Sequence, residues 1–206
     1  MAGNAIKNTF VIGICSLTII ILLAILIAYL VTRRKNTISN TIDIMSMLPY
    51  VIPGSVVGIS MIMAFNKKPI ILTGTLIIMV IALVIRRLPY TIRSSAATLQ
   101  QIPITVEEAA ISLGCSKMKA FFKITIPMMN GIVSGAILSW VTIITELSSA
   151  ICLYTIRTQT LTLAIYTYVL RGNDGIAAAL ATILSVTTII SLLIFMKVSK
   201  GQDITF

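Results

Sequence analysis

Long uncharged runs separated by short polar stretches dominate this sequence. A helix needs about 20 residues to cross a bilayer core of about 30 Å. We predict five membrane-spanning helices, over residues 10–31, 44–65, 69–85, 124–145 and 175–196, within one transmembrane domain covering residues 1–206. The third run is short, and its flanking Lys68 and Arg86 are expected to reach the interfaces. A further apolar run, Thr158–Leu170, is too short to span and predicts a re-entrant or interfacial segment.

The composition agrees with a chain that lies in lipid. The sequence is 57% hydrophobic and 11% charged, with a mean hydropathy of +1.03, and so few charges would not cover the surface of a soluble domain. The formal net charge is +10. A nucleic-acid binder would gather these charges on one soluble face, whereas here they lie between apolar runs, as in the loops of membrane proteins. The predicted partner is therefore a lipid bilayer and not a nucleic acid.

Residues for catalysis or for metal binding are scarce. The sequence has no histidine, and its three cysteines, Cys15, Cys115 and Cys152, are far apart, so neither a CxxC motif nor a disulfide framework is present. A phosphate-binding GxxxxGKS/T motif is also missing from the sequence. No apolar run carries a nucleophile beside a base, or paired acids, which disfavours an intramembrane enzyme. We predict no catalytic residue, metal site or cofactor.

The basic residues predict the orientation of the chain. If the segment Arg33–Lys35 is cytoplasmic, eleven of the 16 basic residues share its side. These are Arg33, Arg34, Lys35, Arg86, Arg87, Arg93, Lys117, Lys119, Lys123, Lys197 and Lys200, whereas Lys7, Lys67, Lys68, Arg157 and Arg171 lie opposite. Because cytoplasmic loops carry the excess of Lys and Arg, we expect the N-terminus outside and the C-terminus in the cytoplasm.

Two predicted spans carry glycines four residues apart. Gly54 and Gly58 lie in the second span, and Gly131 and Gly135 lie in the fourth. Small residues at this spacing let two helix backbones approach closely within a membrane. Contacts inside one helical bundle are favoured over a seam between two copies.

The predicted loop between the third and fourth spans, residues 86–127, is polar and long. A connector between antiparallel helices needs only about 2–8 residues. Pro103 interrupts the segment, and Thr105 lies three residues before Glu108, the spacing of a capping box. Glu107 and Glu108 would lie in the first helical turn, where the helix dipole favours acids. An ordered connector is one interpretation, and a docking site for a partner is the other, favoured by the length.

The same loop contains signals for the end of this helix and for a second one. Gly114 fits the position just after a helix C-terminus, and Ser116 can cap a second short helix. Pro127 suits the first turn of the fourth span. The sequence therefore predicts a helix, a glycine turn and a second helix, held between two membrane spans.

The spacing in this loop resembles the EAA loop of ABC importer permeases. Glu108-Ala109-Ala110 is followed after three residues by Gly114 and after nine more by Ile124-Thr125-Ile126-Pro127. Ile126 stands where the family pattern has Leu, a swap of similar volume. The resemblance implies an all-α membrane protein, a five-span type I ABC importer permease bundle whose cytoplasmic coupling helix docks in a groove of an ATPase. The implied contact residues are Glu107, Glu108, Ala109, Ala110, Gly114, Ile124, Ile126 and Pro127.

The resemblance also implies partners and a location. The partners would be a cytoplasmic ABC ATPase dimer, a second permease subunit (a copy or a related chain) and an extracytoplasmic substrate-binding protein. The location would be the bacterial cytoplasmic membrane. Many such permeases are fusions of two homologous halves, and this chain would match one half. ATP hydrolysis would then belong to a partner and not to this chain.

The last third of the chain looks like the iron(III)-type branch of these permeases. The similar segments are Glu146-Leu147-Ser148, Thr160-Leu161, Ile165-Tyr166 and residues 175–181. Ferric iron is therefore the expected substrate. Thiamine, phosphonate, polyamine or another small anion is the alternative, because relatives of that branch handle such compounds. A structural subunit of another membrane complex is the remaining hypothesis.

Glu146, Pro49 and Pro53 are the candidates for the translocation path. Counting from Pro127 at about 1.5 Å per residue places Glu146 near the outer membrane boundary, where it would line a vestibule or touch the binding protein. The alternative is an interfacial acid held by neighbouring polar side chains: Ser148, Ser149 or Arg157. The two prolines should kink the second span and free carbonyl groups, which either line a path or bond to neighbours.

Overall fold

The computed structural model describes residues 2–199, and most of them are helical. The helices are α1 Ala2–Arg33, α2 Thr37–Val51, α3 Gly54–Phe65, α4 Leu76–Gln101, α5 Ile104–Ser112, α6 Lys117–Ala120, α7 Ile126–Met128, α8 Gly131–Ile144, α9 Ala150–Leu153, α10 Leu161–Leu170 and α11 Asp174–Ser199. A π-helical turn, Phe121–Thr125, joins α6 to α7. Strands β1 Asn66–Lys67 and β2 Ile70–Ile71 form a small antiparallel hairpin.

The centre of the bundle is formed by α1, α4 and α8. Helices α1 and α4 run parallel. Their C-terminal ends lie together, where Arg33 at the end of α1 donates a hydrogen bond of 2.9 Å to the carbonyl of Ile102, just past the end of α4. The third runs antiparallel to α4, with Gly131 beside Thr98 and Ser139 beside Arg87. Fully buried apolar side chains fill the space between the helices: Ile12, Ile20, Ile78, Met79 and Leu163.

The glycine pairs mark close helix contacts within this chain, as predicted. A Cβ atom on Gly131 would lie 2.1 Å from Thr98 Oγ1, and one on Gly135 would lie 2.7 Å from Thr91 Cα. A Cβ on Gly58 would lie 2.8 Å from Cys152 Cβ. These distances leave no room for a side chain, so α8 and α3 approach their neighbours as closely as glycine allows.

The predicted span over residues 44–65 is broken and not merely kinked. This region forms α2 and α3, whose axes differ by 109°. Pro49 lies inside α2, and Pro53 is the residue before the first turn of α3. Proline has no N–H group and its ring clashes with the preceding turn, so the predicted kink is a complete break of the helix.

The boundary between the third span and the loop is also wrong. The predicted span over residues 69–85 begins in the β-hairpin, whereas α4 starts at Leu76 and continues past Arg86 to Gln101. The segment between helices α4 and α8 therefore begins near Ile102 and not at residue 86. Arg86 and Arg87 interrupt the apolar run as loop residues would, but both point into the bundle and pair with an acid.

The fourth predicted span, residues 124–145, is bent. Its first part belongs to the π-helical turn and α7, and the helical pair Lys117–Met128 and Gly131–Ile144 differs in direction by 64°. Only α1 and α11, among the helices the structure describes, are long and apolar enough alone to cross a membrane, and each bent pair can add one crossing by length and composition. The short run at 158–170 contains helix α10, whose depth in the membrane stays a prediction.

Candidate functional site

Helix α5 begins without a side-chain cap. Its N-cap residue is Pro103, with φ −62° and ψ 139°, and Ile104 is the first helical residue. Thr105 therefore lies inside the first turn, and the predicted capping box with Glu108 is wrong. The reason is local, because the fixed φ of proline suits the start of a helix and needs no N–H partner.

The end of α5 matches the prediction in detail. Gly114 has φ +90°, a conformation that favours glycine, and open space surrounds its Cα. Its N–H donates to the carbonyl of Ile111 at 2.9 Å, and that of Cys115 donates to Ala110 at 3.0 Å. This pair of bonds is a Schellman motif, which satisfies carbonyls that the helix leaves free.

A second short helix follows, as predicted. The Ser116 hydroxyl accepts a hydrogen bond from the N–H of Lys119 at 3.3 Å and caps α6. Two predicted contact residues further along the chain are less exposed than Glu108 and Ala109. Ile124 is half-buried in the π-helical turn, and Ile126 is half-buried in α7. Pro127 is exposed and lies in α7, so it precedes α8 and is not in its first turn.

The two faces of α5 have different environments. Glu107 is 7% exposed, and Ala110 is also buried, whereas Glu108 and Ala109 face outward. The Glu107 carboxylate accepts from Arg33 Nε at 2.9 Å and from the Tyr29 hydroxyl at 3.1 Å. Glu107 therefore ties α5 to the end of α1, and its carboxylate is not presented on the surface with Glu108.

Large apolar side chains lie exposed around the glycine turn. Leu113 is 88% exposed, and Met118, on the next helix, is 65% exposed. Ile104 and Phe122 extend the same kind of surface along the segment. Exposed apolar groups of this size beside polar residues are typical of a surface that a partner protein covers. Leu113 and Met118 are not among the predicted contact residues. In the sequence, the only indication of this exposed surface is the presence of two large apolar side chains in a polar loop.

Glu146 is at the centre of a buried ion cluster. The residue is 5% exposed and follows the end of α8. One carboxylate oxygen accepts from Arg86 Nη1 at 2.6 Å and from the N–H and hydroxyl of Ser149 at 3.1 and 3.2 Å, and the other accepts from Arg87 Nη2. Arg86 also packs against the start of α3, since a Cβ on Gly54 would lie 2.6 Å from Arg86 Nη1.

This geometry corrects the sequence interpretation of Arg86 and Arg87. Arg86 lies 15 residues before the end of α4, which is about 22 Å along a helix, so it is far from the end of the bundle that carries Arg33. The carboxylate of Glu146 is fully engaged and does not line an open vestibule. Of the alternative partners considered for it, Ser149 and Ser148 both contact Glu146, and the two arginines take the place expected for Arg157. Pro49 is half-buried and Pro53 exposed at the break between α2 and α3.

Comparison with known proteins identifies relatives of this chain. It is 34% identical over 195 residues, 94% of its length, to the ferric transport system permease protein FbpB of Actinobacillus pleuropneumoniae, and spans 28% of that protein. It is 28% identical over 200 residues, 97% of its length, to a putative 2-aminoethylphosphonate transport system permease protein PhnV of Salmonella paratyphi A, and covers 74% of that protein. The chain thus spans only about a quarter of FbpB but most of PhnV.

Solved structures share the fold. The MetNI methionine ABC transporter in an inward-facing conformation superposes with a TM-score of 0.75 at 19% identity, over 97% of this chain and 93% of that one. A bacterial ABC transporter involved in alginate import superposes with a TM-score of 0.78 at 18% identity, over 98% of this chain and 79% of that one.

The sequence model described as "Binding-protein-dependent transport system inner membrane component" matches residues 11–201. The predicted permease fold is confirmed by this match and by the superpositions, and such permeases are membrane subunits distinct from the ATPase. The chain belongs to the family of binding-protein-dependent transport system inner-membrane components, the permeases of ABC importers.

Proposed function

We propose that this chain is a permease unit that couples ATP hydrolysis by a cytoplasmic ATPase dimer to the import of a substrate from an extracytoplasmic binding protein. The observation that carries the proposal is the division of α5 into two faces. Glu107 fastens the inner face to α1, while Glu108 and Ala109 lie on the outer face beside the open Gly114 turn. In this proposal the outer face, with Leu113 and Met118, enters the groove of the ATPase.

The attachment of α5 supports a mechanical role. Arg33 bonds both to Glu107 in α5 and to the carbonyl of Ile102 after α4, so the three helices meet at one side chain. A displacement of α5 by the closing ATPase dimer would therefore move the ends of α1 and α4 together. Such rigid-body movement between two packings, with nucleotide favouring one of them, is a common mode of switching.

Substitution of Gly114 tests the coupling role. We expect Gly114→Trp to abolish co-purification of the ATPase, because a bulky side chain on the exposed turn would fill the docking surface. Gly172→Trp is the matched control, since Gly172 also has a positive φ (70°) and open surroundings, but lies in the turn before α11. Both variants carry the same backbone strain. Equal ATPase recovery with Gly114→Trp and wild type would refute the docking assignment.

The proposed membrane arrangement has five crossings with revised bounds. They are α1, the α2–α3 pair, α4, the α7–α8 pair and α11, in the bacterial cytoplasmic membrane with the N-terminus outside. Helix α4 is less apolar than α1 and α11, but its 26 residues are long enough to cross, and its Arg86 and Arg87 are paired with Glu146 inside the bundle. Because the chain spans 28% of FbpB, it would work with a second permease unit, either a copy or a related chain. The outer ends of the helices would meet the binding protein.

For the substrate we propose ferric iron. The support is the identity of 34% and 33% with two FbpB proteins named as ferric or putative ferric transport permeases. A phosphonate is the second candidate, because PhnV is covered over 74% of its length. Purifying the cognate binding protein and measuring its ligands decides between them. Tight ferric binding would support the proposal, and preferential binding of 2-aminoethylphosphonate or thiamine would overturn it.

A further inference from the structure

A largely apolar cleft, with Arg93 as its one charged lining residue, opens on the side of the bundle at the level of the broken span. It has a volume of about 440 Å³ and lies between α2, α4 and α8. Its lining side chains are Met47, Tyr50, Pro89, Tyr90, Arg93, Ser94 and Leu138. The aromatic rings of Tyr50 and Tyr90, which both line the cleft, are in contact with their centroids 5.5 Å apart.

The charged groups of this cleft lie well inside the helices. Arg93 is eight residues before the end of α4, about 12 Å along the helix, and Asp43 is six residues after the start of α2, about 9 Å. Both helix ends lie beside Arg33, at the end of the bundle that we place in the cytoplasm. Charged side chains at such depth are costly in lipid and normally face a water-filled cavity or the interior of a bundle.

The ion pair between these residues is loose. Arg93 Nη2 lies 3.4 Å from Asp43 Oδ1, and that oxygen has no hydrogen-bond partner. Arg93 Nε donates to the thioether of Met47 at 3.1 Å, and sulfur of this kind is a weak acceptor. Arg93 has 57% of its side chain exposed and lines the cleft, while Asp43 lies behind it at 26%. The guanidinium therefore faces the cleft with donors that a ligand can use.

A second cleft, which is mostly polar, continues from the first towards the same helix ends. It has a volume of about 220 Å³ and shares Ser94 with the first. Its lining consists of Ser94, Ala97, Thr98, Gln101, Asn130, Gly131 and Ser134. The α4 members of both clefts are spaced by three or four residues and so share one face of that helix. We name Tyr90, Arg93, Ser94, Thr98, Gln101, Asn130 and Ser134 the polar track.

We propose that the polar track is this subunit's wall of the translocation path, and that Arg93 contacts a negatively charged group of the substrate as it passes. The inference rests on the proposed permease function and specifies the chemistry of the permeant. Arg93 is the one charged group of the track, and the hydroxyl and amide groups around it can donate as well as accept hydrogen bonds, which suits a carboxylate, a phosphonate or ferric iron held within an anionic complex. A bare ferric cation would be repelled by the exposed guanidinium.

Cysteine modification tests the position of the track. The test uses a variant whose native cysteines are replaced by alanine. Ala97→Cys places a thiol in the second cleft, beside the polar track. Ile189→Cys, at an exposed apolar position of α11, is the control. The probe is the anionic reagent methanethiosulfonate ethylsulfonate, applied to inside-out membrane vesicles that contain the whole complex. Because water must reach the track, we expect Ala97→Cys to react at least about tenfold faster than Ile189→Cys. Equal rates would overturn the proposal.

The charge preference tests Arg93 itself. We expect Arg93→Gln to lower the ratio of anionic to cationic reagent rates at Ala97→Cys by about fivefold, and Arg93→Lys to preserve it, because the local potential depends on that positive charge. The cationic probe is the trimethylammonium analogue of the same reagent. An unchanged ratio with Arg93→Gln would refute the role of Arg93.

Transport gives the third measurement. We expect uptake of the substrate that the wild-type complex accumulates, ferric iron or 2-aminoethylphosphonate, to fall about tenfold with Arg93→Gln, because a charge-assisted hydrogen bond to the substrate is lost; this factor corresponds to about 1.4 kcal/mol. Arg93→Lys should restore most of it, and equal loss in both variants would contradict a charge contact. Failure of the wild-type chain to retain an ATPase would refute the proposed function separately, because the rate of labelling at Ala97→Cys can be measured whether or not an ATPase is bound.

Discussion

At the scale of single residues, Glu146 holds two buried guanidinium groups that would otherwise lack an acid. Arg86 and Arg87 are each 13% exposed in their side chains, and Glu146 is 3% exposed. Removing one partner from a buried ion pair leaves an uncompensated charge and costs about 3–5 kcal/mol. We therefore expect Glu146→Gln to lower the thermal unfolding midpoint of the purified chain in detergent.

Arg87→Gln is the informative comparison for that variant. It leaves Arg86 and Glu146 as a neutral pair, so its loss of stability should be clearly smaller. Glu108→Gln, at an exposed position of α5, should leave the unfolding midpoint unchanged, because no buried charge loses its partner. An unfolding midpoint for Glu146→Gln as high as for Glu108→Gln would show that the cluster does not stabilise the fold.

Gly131 makes the tightest glycine contact and should not tolerate even alanine. The added Cβ would meet Thr98 Oγ1 at 2.1 Å and the Ser94 carbonyl at 2.2 Å, and the carbonyl belongs to the backbone of α4. Overpacking of this kind costs about 1–3 kcal/mol or more. Gly175→Ala is the control, since its Cβ meets nothing within 4 Å. Urea or thermal unfolding of both variants should show a loss for Gly131→Ala alone.

The sequence was most informative where the chemistry is local. The stop at Gly114 and the cap at Ser116 depend on residues within five positions of each other, and both are present. The bonds between Glu146 and the two arginines join positions about 60 residues apart, so no periodicity reports them. Charge counting then placed Arg86 and Arg87 in the cytoplasm, because it treats every basic residue as a loop residue.

At the scale of elements, the attachment of α5 to α1 should control how rigid the coupling helix is. Glu107→Gln removes the charge that holds Arg33 at 2.9 Å, so α5 loses its main bond to the bundle. We expect faster amide hydrogen exchange over residues 104–113 in this variant, because local opening needs less free energy. Mass spectrometry of the exchanged peptides measures this directly.

Glu108→Gln separates attachment from docking in the same helix. The residue is adjacent in sequence but exposed, so hydrogen exchange in α5 should match wild type while retention of the ATPase falls. A rise in exchange in both variants would show that the two faces of α5 are not distinct. Glu107→Gln should reduce transport through loss of rigidity even where the ATPase still binds.

The elements themselves were predicted well in type and less well in extent. Hydrophobic runs identified α1 and α11 because no proline or buried charge interrupts them. The same method joined α2 to α3 across Pro53, since both halves are apolar and hydropathy carries no information on direction. It also ended α4 too early at Arg86, because a paired charge inside a bundle has the same sequence signature as a loop charge.

At the scale of the whole molecule, the corrected positions of the arginines still favour one orientation. With Arg86, Arg87 and Arg93 assigned to α4, the end that carries Arg33 still has the larger basic cluster in its loops. Arg33 ends α1, with Arg34 and Lys35 directly after it, and Lys117, Lys119 and Lys123 follow α5. Glu107, the acid that pairs with Arg33, lies on the same side. The positive-inside rule applies to such loops and not to buried residues.

Labelling of intact cells should therefore distinguish the two ends of the bundle. In the variant without native cysteines, Gly3→Cys lies at the exposed start of α1, and Met118→Cys lies on the exposed face of α6. A membrane-impermeant maleimide should label Gly3→Cys in intact cells and Met118→Cys only after permeabilisation. The opposite pattern would invert the orientation and place the α5 surface outside, where no cytoplasmic ATPase could reach it. Because α1 and α4 run parallel and Arg33 joins their ends to α5, this one measurement also fixes the side on which the polar track opens.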